Sequence, residues 1–364
     1  MSGGASVRRP RVAVVYPIRF GAGGIFGGGE RYALELARVL SKHTPTRLVT
    51  FGPEAGRERD GELEIFTHVP RRLAHGEQMN PIAFGFLRDL LDVDVIHCTA
   101  WNTLVTDLAT LFGRVTGKRV FVTDVGGGAS LTLGNRLPLL DWVHRYLLIA
   151  PQGGAQFEAH RERWRIIYAG IDTESYRPPE VPRREGVLYV GRLLPHKGVD
   201  TLIAAVDADT PLTLVGRPYH PEYYRHLEQL SQGKRVRFVT SASDEEILAF
   251  YQSAAVSVLP SVYRSMYGQV SALPELLGFT AMEAMACGAA VICTRVGGLS
   301  ELMLDGETGY LVEPGNVGEL AGRIRRLLDD PALAARLGAA ARERIERVFT
   351  WEQVARRCLE AYRE

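Results

Sequence analysis

Two basic residues lie close together after a predicted strand in the second half of the chain. Arg192 follows the strand predicted at 186–190, and Lys197 stands five residues later, where the next helix begins. A guanidinium offers a planar fork of hydrogen-bond donors and an ammonium is a point charge, and both stabilise a departing diphosphate whose charge grows in the transition state. The spacing predicts a diphosphate clamp. Two solvated surface charges are the alternative.

Two carboxylates and a helix start follow further along the chain. Glu275 precedes a turn at Gly278, Phe279 and Thr280, and Glu283 lies in the helix that comes next. Free amides at the start of a helix attract phosphate oxygens, and a carboxylate can accept two hydrogen bonds from a cis-diol. The segment is therefore equipped to hold a ribose and its diphosphate. For Glu283, an ion pair with a nearby base is the structural alternative.

A glycine-rich loop at 21–29 follows the first predicted strand. Gly28 and Gly29 lack Cβ atoms, so a phosphate or a sugar can approach the main chain where a helix begins near Glu30. A flexible surface loop is the plain alternative. A dinucleotide fold is the rival, with Glu54 accepting from a ribose, but the tight G-x-G-x-x-G turn is not cleanly present, which disfavours NAD.

The elements that position these residues are short β-branched runs alternating with helix-like stretches, as in a doubly wound parallel sheet. The predicted strands lie at 12–16, 47–51, 95–98, 119–123, 146–150, 186–190, 212–215, 236–239, 256–259, 291–293 and 310–312. The series starts again after a proline-rich, charged stretch, which indicates two domains in tandem. Each sheet should bind ligands beyond the carboxyl ends of its strands, where the strand order reverses.

The length of 364 residues also favours two domains. We predict a disordered N-terminus at 1–10, a first domain at 11–172, a linker at 173–186, a second domain at 187–348 and a final helical segment at 349–364. The apolar residues of the last segment share one helical face, namely Trp351, Val354, Cys358, Leu359 and Tyr362. That face must pack against another element.

Composition excludes several classes of protein. With 46% hydrophobic and 23% charged residues and a net charge of +1, the chain is an ordinary folded protein and not a dedicated nucleic-acid binder. No apolar run is long enough to span a bilayer and no secretory signal is recognisable, so a cytoplasmic protein is expected. The four cysteines, at 98, 287, 293 and 358, lack metal or disulfide spacing and are predicted to be buried packing residues.

Several motifs are spread over nearly the whole chain. They are Gly28-Gly29-Glu30-Arg31, Tyr168-Ala169-Gly170-Ile171-Asp172, Gly191-Arg192 with Lys197-Gly198, Leu259-Pro260-Ser261, Glu275-x7-Glu283, Gly297-Gly298-Leu299-Ser300-Glu301, the run from Asp305 to Val312, and Phe349-Thr350-Trp351-Glu352. Together they resemble the retaining glycosyltransferases of family 4. The resemblance implies the α/β GT-B fold, in which two Rossmann-like domains with doubly wound parallel sheets face each other and a C-terminal helix crosses back to the N-terminal domain.

The resemblance also implies roles for individual residues. Arg192 and Lys197 would bind the diphosphate, Glu283 the ribose hydroxyls, and Glu275 together with the amides of 278–280 the donor sugar. Main-chain groups around Val239 would contact the base.

The sequence departs from the family pattern at two places. Family members usually carry a histidine that touches the donor sugar after the fifth strand, and here Asp124 stands in its place, so Asp124 is counted among the candidate catalytic residues. The segment Tyr263–Leu273 is longer than usual, which predicts a loop over the cleft. The identity of the donor sugar is left open by these departures.

The function implied is the metal-independent transfer of a sugar, as in hexosyltransferases. The donor would be a nucleoside diphosphate sugar, the acceptor a hydroxyl of a carbohydrate or a lipid-linked molecule in polysaccharide or glycolipid synthesis, and the anomeric configuration would be retained. No cofactor is expected. A nucleotide-sugar epimerase of the same fold, in which Asp124 would be an acid or base, and a non-catalytic nucleotide-binding protein are the alternatives.

Three other features receive structural interpretations. His97 is expected to be a core residue, and the Asp92-x-Asp94 pattern precedes a strand, so a metal role is not expected. A modest basic patch at Arg71, Arg72 and His75 is by default a solvated loop. A peripheral contact with the inner face of a membrane is the minor alternative for this patch.

Overall fold

The computed structural model describes residues 9–18, 28–125, 133, 137–180 and 185–364. The chain divides into two compact units. The first comprises Met1–Ala169 and Trp351–Glu364, and the second Gly170–Thr350.

Both units are built from alternating strands and helices. The strands are β1 (Val12–Val15), β2 (Thr46–Phe51), β3 (Gly56–Asp60), β4 (Leu63–His68), β5 (Arg72–Leu73), β6 (Pro81–Ile82), β7 (Val95–Cys98), β8 (Arg119–Val122), β9 (Arg145–Leu148), β10 (Trp164–Ile166), β11 (Glu185–Val190), β12 (Leu212–Val215), β13 (Val236–Val239), β14 (Ala254–Leu259), β15 (Ala290–Thr294) and β16 (Tyr310–Val312). The helices are α1 (Gly28–Ser41), α2 (Leu104–Thr116), α3 (Leu139–Trp142), α4 (Val199–Ala205), α5 (Pro221–Leu230), α6 (Asp244–Ser253), α7 (Phe279–Ala286), α8 (Leu299–Leu302), α9 (Val317–Asp329), α10 (Pro331–Val348) and α11 (Trp351–Ala361).

The first unit contains an eight-stranded sheet in the order β10-β9-β8-β7-β1-β2-β4-β3. Only β3 runs antiparallel to its neighbour. The order reverses between β7 and β1, as in a doubly wound sheet. Helix α1 packs on this sheet through an apolar stripe, since Ala33, Leu36, Ala37 and Leu40 recur at helical spacing and are all buried.

The second unit contains six parallel strands in the order β13-β12-β11-β14-β15-β16, which reverses between β11 and β14. A capping box begins α6, where the Ser243 side chain accepts from the Glu246 amide and the Glu246 carboxylate accepts from the Ser243 amide. Gly288, at φ +69°, follows α7 and its C-cap Cys287, and its left-handed conformation is typical of a helix end.

The end of the chain packs on the first unit. Val354 and Cys358 of α11 are fully buried, and the ring of Trp351 lies 5.4 Å from that of Tyr32 on α1. The Tyr362 hydroxyl lies 2.7 Å from Nδ1 of His97 on β7. The apolar face of the last helix therefore has the packing partner that its spacing requires.

The unit bounds differ from the predicted domains by a few residues. The predicted first domain extends to 172, but Gly170 already belongs to the second unit. The reason is that Ile171 pairs with Thr350 and its amide donates to the Phe349 carbonyl at 2.8 Å, so both segments stay in that unit. Strand β11 begins at Glu185, within the predicted linker. Most of the predicted disordered N-terminus lies outside the described residues.

All four cysteines are free and buried, which confirms the packing role predicted for them. In the described part of the chain, no helix is both long and apolar enough to cross a membrane.

Candidate functional site

The carboxyl ends of β11 and β14 flank the point where the strand order of the second sheet reverses. Gly191 and Arg192 follow β11, and Pro260 and Ser261 follow β14. A crevice forms at such a point because the connections from the two strands leave in opposite directions. This edge of the second unit is where the sequence predicts most of the ligand-binding residues.

The backbone of Arg192 is fixed by hydrogen bonds, whereas its side chain is exposed to solvent. Its carbonyl accepts a hydrogen bond from the buried Tyr189 hydroxyl at 2.9 Å. The preceding Gly191 amide donates to the Val215 carbonyl at 2.9 Å, which ties the turn to β12. The Arg192 side chain is exposed and makes no ion pair with any residue that the structure describes. Its guanidinium is therefore available to an anion.

Lys197 and Glu275, which the sequence assigns to the diphosphate and the sugar, form an ion pair. Lys197 Nζ lies 2.5 Å from Glu275 Oε1, and the two side chains are only 12% and 10% exposed. The Ser261 hydroxyl donates to the same carboxylate oxygen at 2.7 Å. Both protein contacts of the carboxylate thus fall on Oε1, and within the described residues Oε2 has no hydrogen-bond partner.

Burial and the charges of Lys197, Arg192 and Glu275 shift the pKa of the neighbouring His196 imidazole. Burial lowers the pKa of His196, the positive charges of Lys197 and Arg192 lower it further, and the negative charge of Glu275 opposes them. Because both cations act on this one side chain, their fields overlap at the end of β11. A negatively charged ligand placed there would be attracted by both.

The backbone of Glu275 is fixed by the loop after β15. The Glu275 carbonyl accepts from the Gly298 amide at 3.1 Å, and the Gly297 amide donates to the Tyr263 hydroxyl at 3.0 Å. A Cβ added at Gly297, where φ is +49°, would lie 1.9 Å from the Glu275 carbonyl oxygen. Only glycine fits this approach, so the loop and Glu275 hold each other in place.

The N-terminus of α7 lies at the end of β14. Gly278 is its N-cap at φ +82°, and a Cβ there would lie 3.0 Å from Leu259, the last residue of β14. The amides of the first helical turn, at Phe279 and Thr280, have no acceptor within the helix. They are suited to receive phosphate or sugar oxygens at the predicted place.

Glu283 is held by a tyrosine. Its Oε2 accepts a hydrogen bond from the Tyr251 hydroxyl of α6 at 2.7 Å. Tyr251 is fully buried, and burial followed by the charge of Glu283 raises its pKa well above the ordinary value. Because the phenol stays protonated, it donates to the carboxylate and fixes its direction.

Val239 is the last residue of β13, an edge strand of the same sheet. It is half-buried, and its carbonyl accepts from the Gly216 amide at 2.9 Å. Val239 therefore lies at the same edge of the sheet as Arg192 and Ser261. Its own carbonyl, however, is engaged by the protein.

The long segment after Ser261 folds as a small hairpin. Arg264 and Val270 form an antiparallel bridge, and the Ser271 amide donates to the Tyr263 carbonyl at 2.8 Å. At the tip, the ring of Tyr267 stacks on that of His220 with centroids 5.5 Å apart. The predicted extended loop is thus an ordered element anchored to the start of α5.

The remaining predicted site residues belong to the first unit. Helix α1 begins at Gly28, two residues before the predicted start. A Cβ at Gly29 would lie 2.8 Å from Val125 and 2.9 Å from the Tyr16 hydroxyl, so the helix start fits closely against the residues after β8 and β1. Asp124 accepts from the Gln156 side chain at 2.5 Å. Residues 21–27 of the glycine-rich loop lie outside the described residues.

His97 is a core residue, as the sequence predicts. It is fully buried, with Nδ1 at 2.7 Å from the Tyr362 hydroxyl and Nε2 at 2.8 Å from the Thr123 hydroxyl. Burial lowers its pKa to about 3. Both ring nitrogens are engaged by the protein.

The Asp92-x-Asp94 pattern has a structural role. Asp92 pairs with Arg47 at 2.7 Å and with Arg11 at 3.1 Å, and Asp94 accepts from the Arg11 amide at 2.8 Å. No cluster of three or more His, Cys, Asp or Glu side chains that could hold a metal ion occurs among the residues with a described position.

Comparison with known proteins identifies the family. The model of the glycosyl transferases group 1 matches residues 172–344. The alpha-maltose-1-phosphate synthase of Mycolicibacterium smegmatis is 30% identical over 93% of this chain and 96% of its own length. The chain belongs to the glycosyl transferases group 1 family. The D-inositol 3-phosphate glycosyltransferase of Corynebacterium glutamicum is 33% identical over 57% of this chain and 53% of its own length. The chain thus spans about half the length of the first curated relatives that it matches.

Solved structures share the fold. HepE of Anabaena, solved in complex with UDP, matches with a TM-score of 0.71 at 18% identity, over 96% of this chain and 98% of its own. Together with the two parallel sheets, this likeness identifies the fold of this member of the group 1 family as the α/β GT-B fold.

The sequence did not indicate three hydroxyl residues that hold the site of this member of the group 1 family. Ser261 and Tyr251 hold the two carboxylates, and Tyr263 holds the Gly297 amide beside Glu275. Ser261 was visible as part of a motif at a strand end, but no pattern assigned it a partner. Tyr251 and Tyr263 had no signal, because their partners are distant in sequence.

Proposed function

We propose that this chain transfers a sugar from a nucleoside diphosphate sugar to a hydroxyl of an acceptor, with retention of the anomeric configuration. One arrangement carries the proposal. At the reversal point of the second sheet, the open guanidinium of Arg192 and the Lys197–Glu275 pair lie with the amides that begin α7. Cations and helix-terminal amides suit a diphosphate, and a carboxylate with one open oxygen suits a sugar hydroxyl.

Some of these residues would bind the leaving diphosphate and others the sugar. An ammonium has three donors, so Lys197 can contact Glu275 and still donate to a phosphate oxygen. Arg192 supplies a charge that none of the carboxylates with a described position neutralises. Charge that develops on the departing diphosphate is then stabilised by fixed groups, with no cofactor required beyond the donor itself. Oε2 of Glu275 would accept from a hydroxyl of the sugar.

Nucleotide recognition is assigned to the neighbouring elements. Glu283, directed by Tyr251, would accept hydrogen bonds from the ribose hydroxyls, and main-chain groups near Val239 would face the base. The complex of HepE with UDP supports a nucleoside diphosphate as ligand of this fold. The relative named alpha-maltose-1-phosphate synthase supports a carbohydrate acceptor.

Residues of the first unit are proposed to serve the acceptor and the sugar. Gly28 would admit an acceptor close to the main chain at the start of α1, and Gly29, which fits against Val125 and Tyr16, would hold that helix start in place. Asp124 would act near the donor sugar, where the family usually has a histidine. A lipid-linked acceptor and contact with the inner face of a membrane are supported by Arg71, Arg72 and His75, which are all exposed.

Donor consumption tests this proposal. The purified chain is incubated with UDP-, GDP- and ADP-sugars, with and without a panel of acceptors, and nuclear magnetic resonance follows the anomeric proton of the product. We expect one of the three donor types to be consumed, with release of its nucleoside diphosphate. A donor whose anomeric linkage is axial should give a product whose new glycosidic linkage is also axial. An epimerised sugar recovered in the absence of acceptor would support the nucleotide-sugar epimerase instead. Nucleotide binding without any turnover would support the non-catalytic nucleotide-binding protein.

A further inference from the structure

The first unit contains an apolar pocket that none of the assigned residues uses. Its volume is about 350 Å³, within the range of small-molecule sites. Four prolines line it together with Ile18, Phe51, Val69, Leu73 and the single amide side chain of Gln78. Among the described residues that line it, none is charged. Proline fixes the backbone angle φ, so much of the wall is rigid before any ligand arrives.

The pocket lies at the carboxyl edge of the first sheet. Ile18 comes after β1, Phe51 ends β2, and Val69 follows β4 directly. The short β5–β6 hairpin closes one side with Leu73. Parallel α/β sheets bind their ligands beyond this edge, so the position is that of a ligand site and not of a packing defect.

Apolar side chains at the pocket remain partly in water. Val69 is 48% and Leu73 36% exposed. Such apolar surface is unfavourable unless a ligand covers it, because each buried methylene contributes about 0.8 kcal/mol. The shape and the lining therefore fit a hydrocarbon group and not a bare sugar, which needs hydrogen-bond partners for its hydroxyls.

Cations adjoin the apolar lining. Arg71 lies between two lining residues in sequence, its amide donates to the Ile82 carbonyl of β6 at 2.9 Å, and its side chain is exposed. Arg72 and His75 are exposed on the same hairpin. Within the described ranges, none of the three makes an ion pair. The charge beside the pocket is thus complementary to an anionic group.

We propose that this pocket binds the hydrocarbon chain of the acceptor, and that Arg71 contacts a phosphate joined to that chain. This inference rests on the proposed function and names its acceptor class: a phosphorylated amphiphile with a hydroxyl-bearing head. The apolar pocket selects the chain, and the cations orient the phosphate.

Titration of the full chain with alkyl phosphates tests the proposal. Hexyl, octyl and decyl phosphate are used below their micelle concentrations, with inorganic phosphate as the head alone. We expect binding to tighten by about fourfold per methylene until the pocket is full. Inorganic phosphate should bind far more weakly than decyl phosphate. Equal affinity for hexyl and decyl phosphate would overturn the proposal.

A matched pair of variants locates the binding site. Val69→Asp places a charge at the pocket, and Val115→Asp makes the same change at a valine that is 77% exposed on α2 of the same unit. We expect Val69→Asp to weaken decyl phosphate at least tenfold and Val115→Asp to leave it unchanged. Arg71→Ala should weaken decyl phosphate but not decanol. Equal effects of the two aspartates would contradict the pocket.

Two further experiments distinguish failure of the pocket proposal from failure of the proposed function. Vesicles of phosphatidylcholine and phosphatidylglycerol are floated with each variant. If Val69→Asp abolishes vesicle binding but leaves decyl phosphate unchanged, the surface meets a bilayer and the proposed pocket is wrong. UDP-, GDP- and ADP-binding are measured in parallel. Nucleotide binding without decyl phosphate binding rejects only this inference, whereas loss of all nucleotide binding in the unmodified chain rejects the proposed function.

Discussion

Lys197 Nζ lies 2.5 Å from Glu275 Oε1, and the Ser261 hydroxyl shares that oxygen at 2.7 Å. The protein therefore uses one oxygen of the carboxylate and leaves the other for a ligand. Because both charged side chains are nearly buried, each depends on the other for its compensation. The Lys197–Glu275 pair therefore stabilises the fold and, in the proposed function, also binds the sugar donor.

Removing the cation alone should destabilise the second unit. In Lys197→Met the buried Glu275 charge loses its partner, and we expect the free energy of unfolding to fall by about 3 kcal/mol. The double variant Lys197→Met/Glu275→Gln has no uncompensated charge and should recover most of that loss, although neither variant should transfer sugar. Denaturant titration measures both. A double variant as unstable as the single one would contradict the coupling.

Removing the carboxylate of Glu283 should weaken nucleotide binding. Glu283→Ala is expected to cost about 1 to 3 kcal/mol of affinity for the nucleoside diphosphate, which is the usual cost of losing charge-assisted hydrogen bonds. Tyr251→Phe leaves the carboxylate but removes its donor, and we expect a smaller loss of about two- to tenfold. Tyr310→Phe, a buried tyrosine on the edge strand β16, is the control. Unchanged affinity in Glu283→Ala would remove this residue from the ribose role.

Two glycines separate backbone strain from steric overlap. Gly315 has φ +78° with no atom within 4 Å of an added Cβ, whereas at Gly297 that Cβ would lie 1.9 Å from the Glu275 carbonyl oxygen. Gly315→Ala should cost about 1 kcal/mol from its left-handed conformation alone. Gly297→Ala should cost at least about 2 kcal/mol more and should lower the transfer rate, since Glu275 must move. Equal stabilities would show that the loop yields without cost.

The His97 site makes stability depend on pH. Burial lowers the pKa of His97 to about 3, so the folded protein keeps this imidazole neutral while the unfolded chain protonates it below pH ~6.5. Stability is therefore fully present above that pH and is lost as the pH falls, by about 2 kcal/mol at pH 5.

Comparison with His97→Gln isolates this contribution. Burial raises the pKa of Asp107 to about 6, but that group titrates in both proteins and cancels from the difference. Chemical denaturation at intervals between pH 5 and 7 should show a steeper acid loss in the unmodified chain. Parallel curves would contradict a neutral, buried His97.

Strands with apolar sequences were predictable, including β13 and β16 at the edges of the second sheet, whereas β3 and β4 in the first sheet were not. The run 95–98 is apolar except for His97, is buried throughout and coincides with β7. Every residue of β3 is exposed, and its sequence Gly-Arg-Glu-Arg-Asp has no apolar signal, because this edge strand buries none of its side chains. In β4 buried and half-buried residues alternate, and a single covered face gives a weaker pattern than a run buried on both sides.

The site was predictable as residue types but not as contacts. Motif spacing placed Arg192, Lys197 and Glu275 on ligand binding, and the structure brings the last two together. Their ion pair joins residues 78 positions apart, so local periodicity carries no information about it. Hydroxyl partners such as Ser261 are equally invisible, since one serine at a strand end resembles any other.

Calorimetric titration with UDP, GDP, ADP and NAD in the presence of EDTA tests the central claim most directly. We expect one nucleoside diphosphate to bind without added metal, and Arg192→Gln, which removes an exposed charge with little effect on folding, to weaken it about tenfold or more. Arg114→Gln, which also removes an exposed arginine charge but lies on α2 of the first unit, should leave the affinity unchanged. Binding of NAD alone, or of no nucleotide, would contradict a donor site at the carboxyl edge of the second sheet.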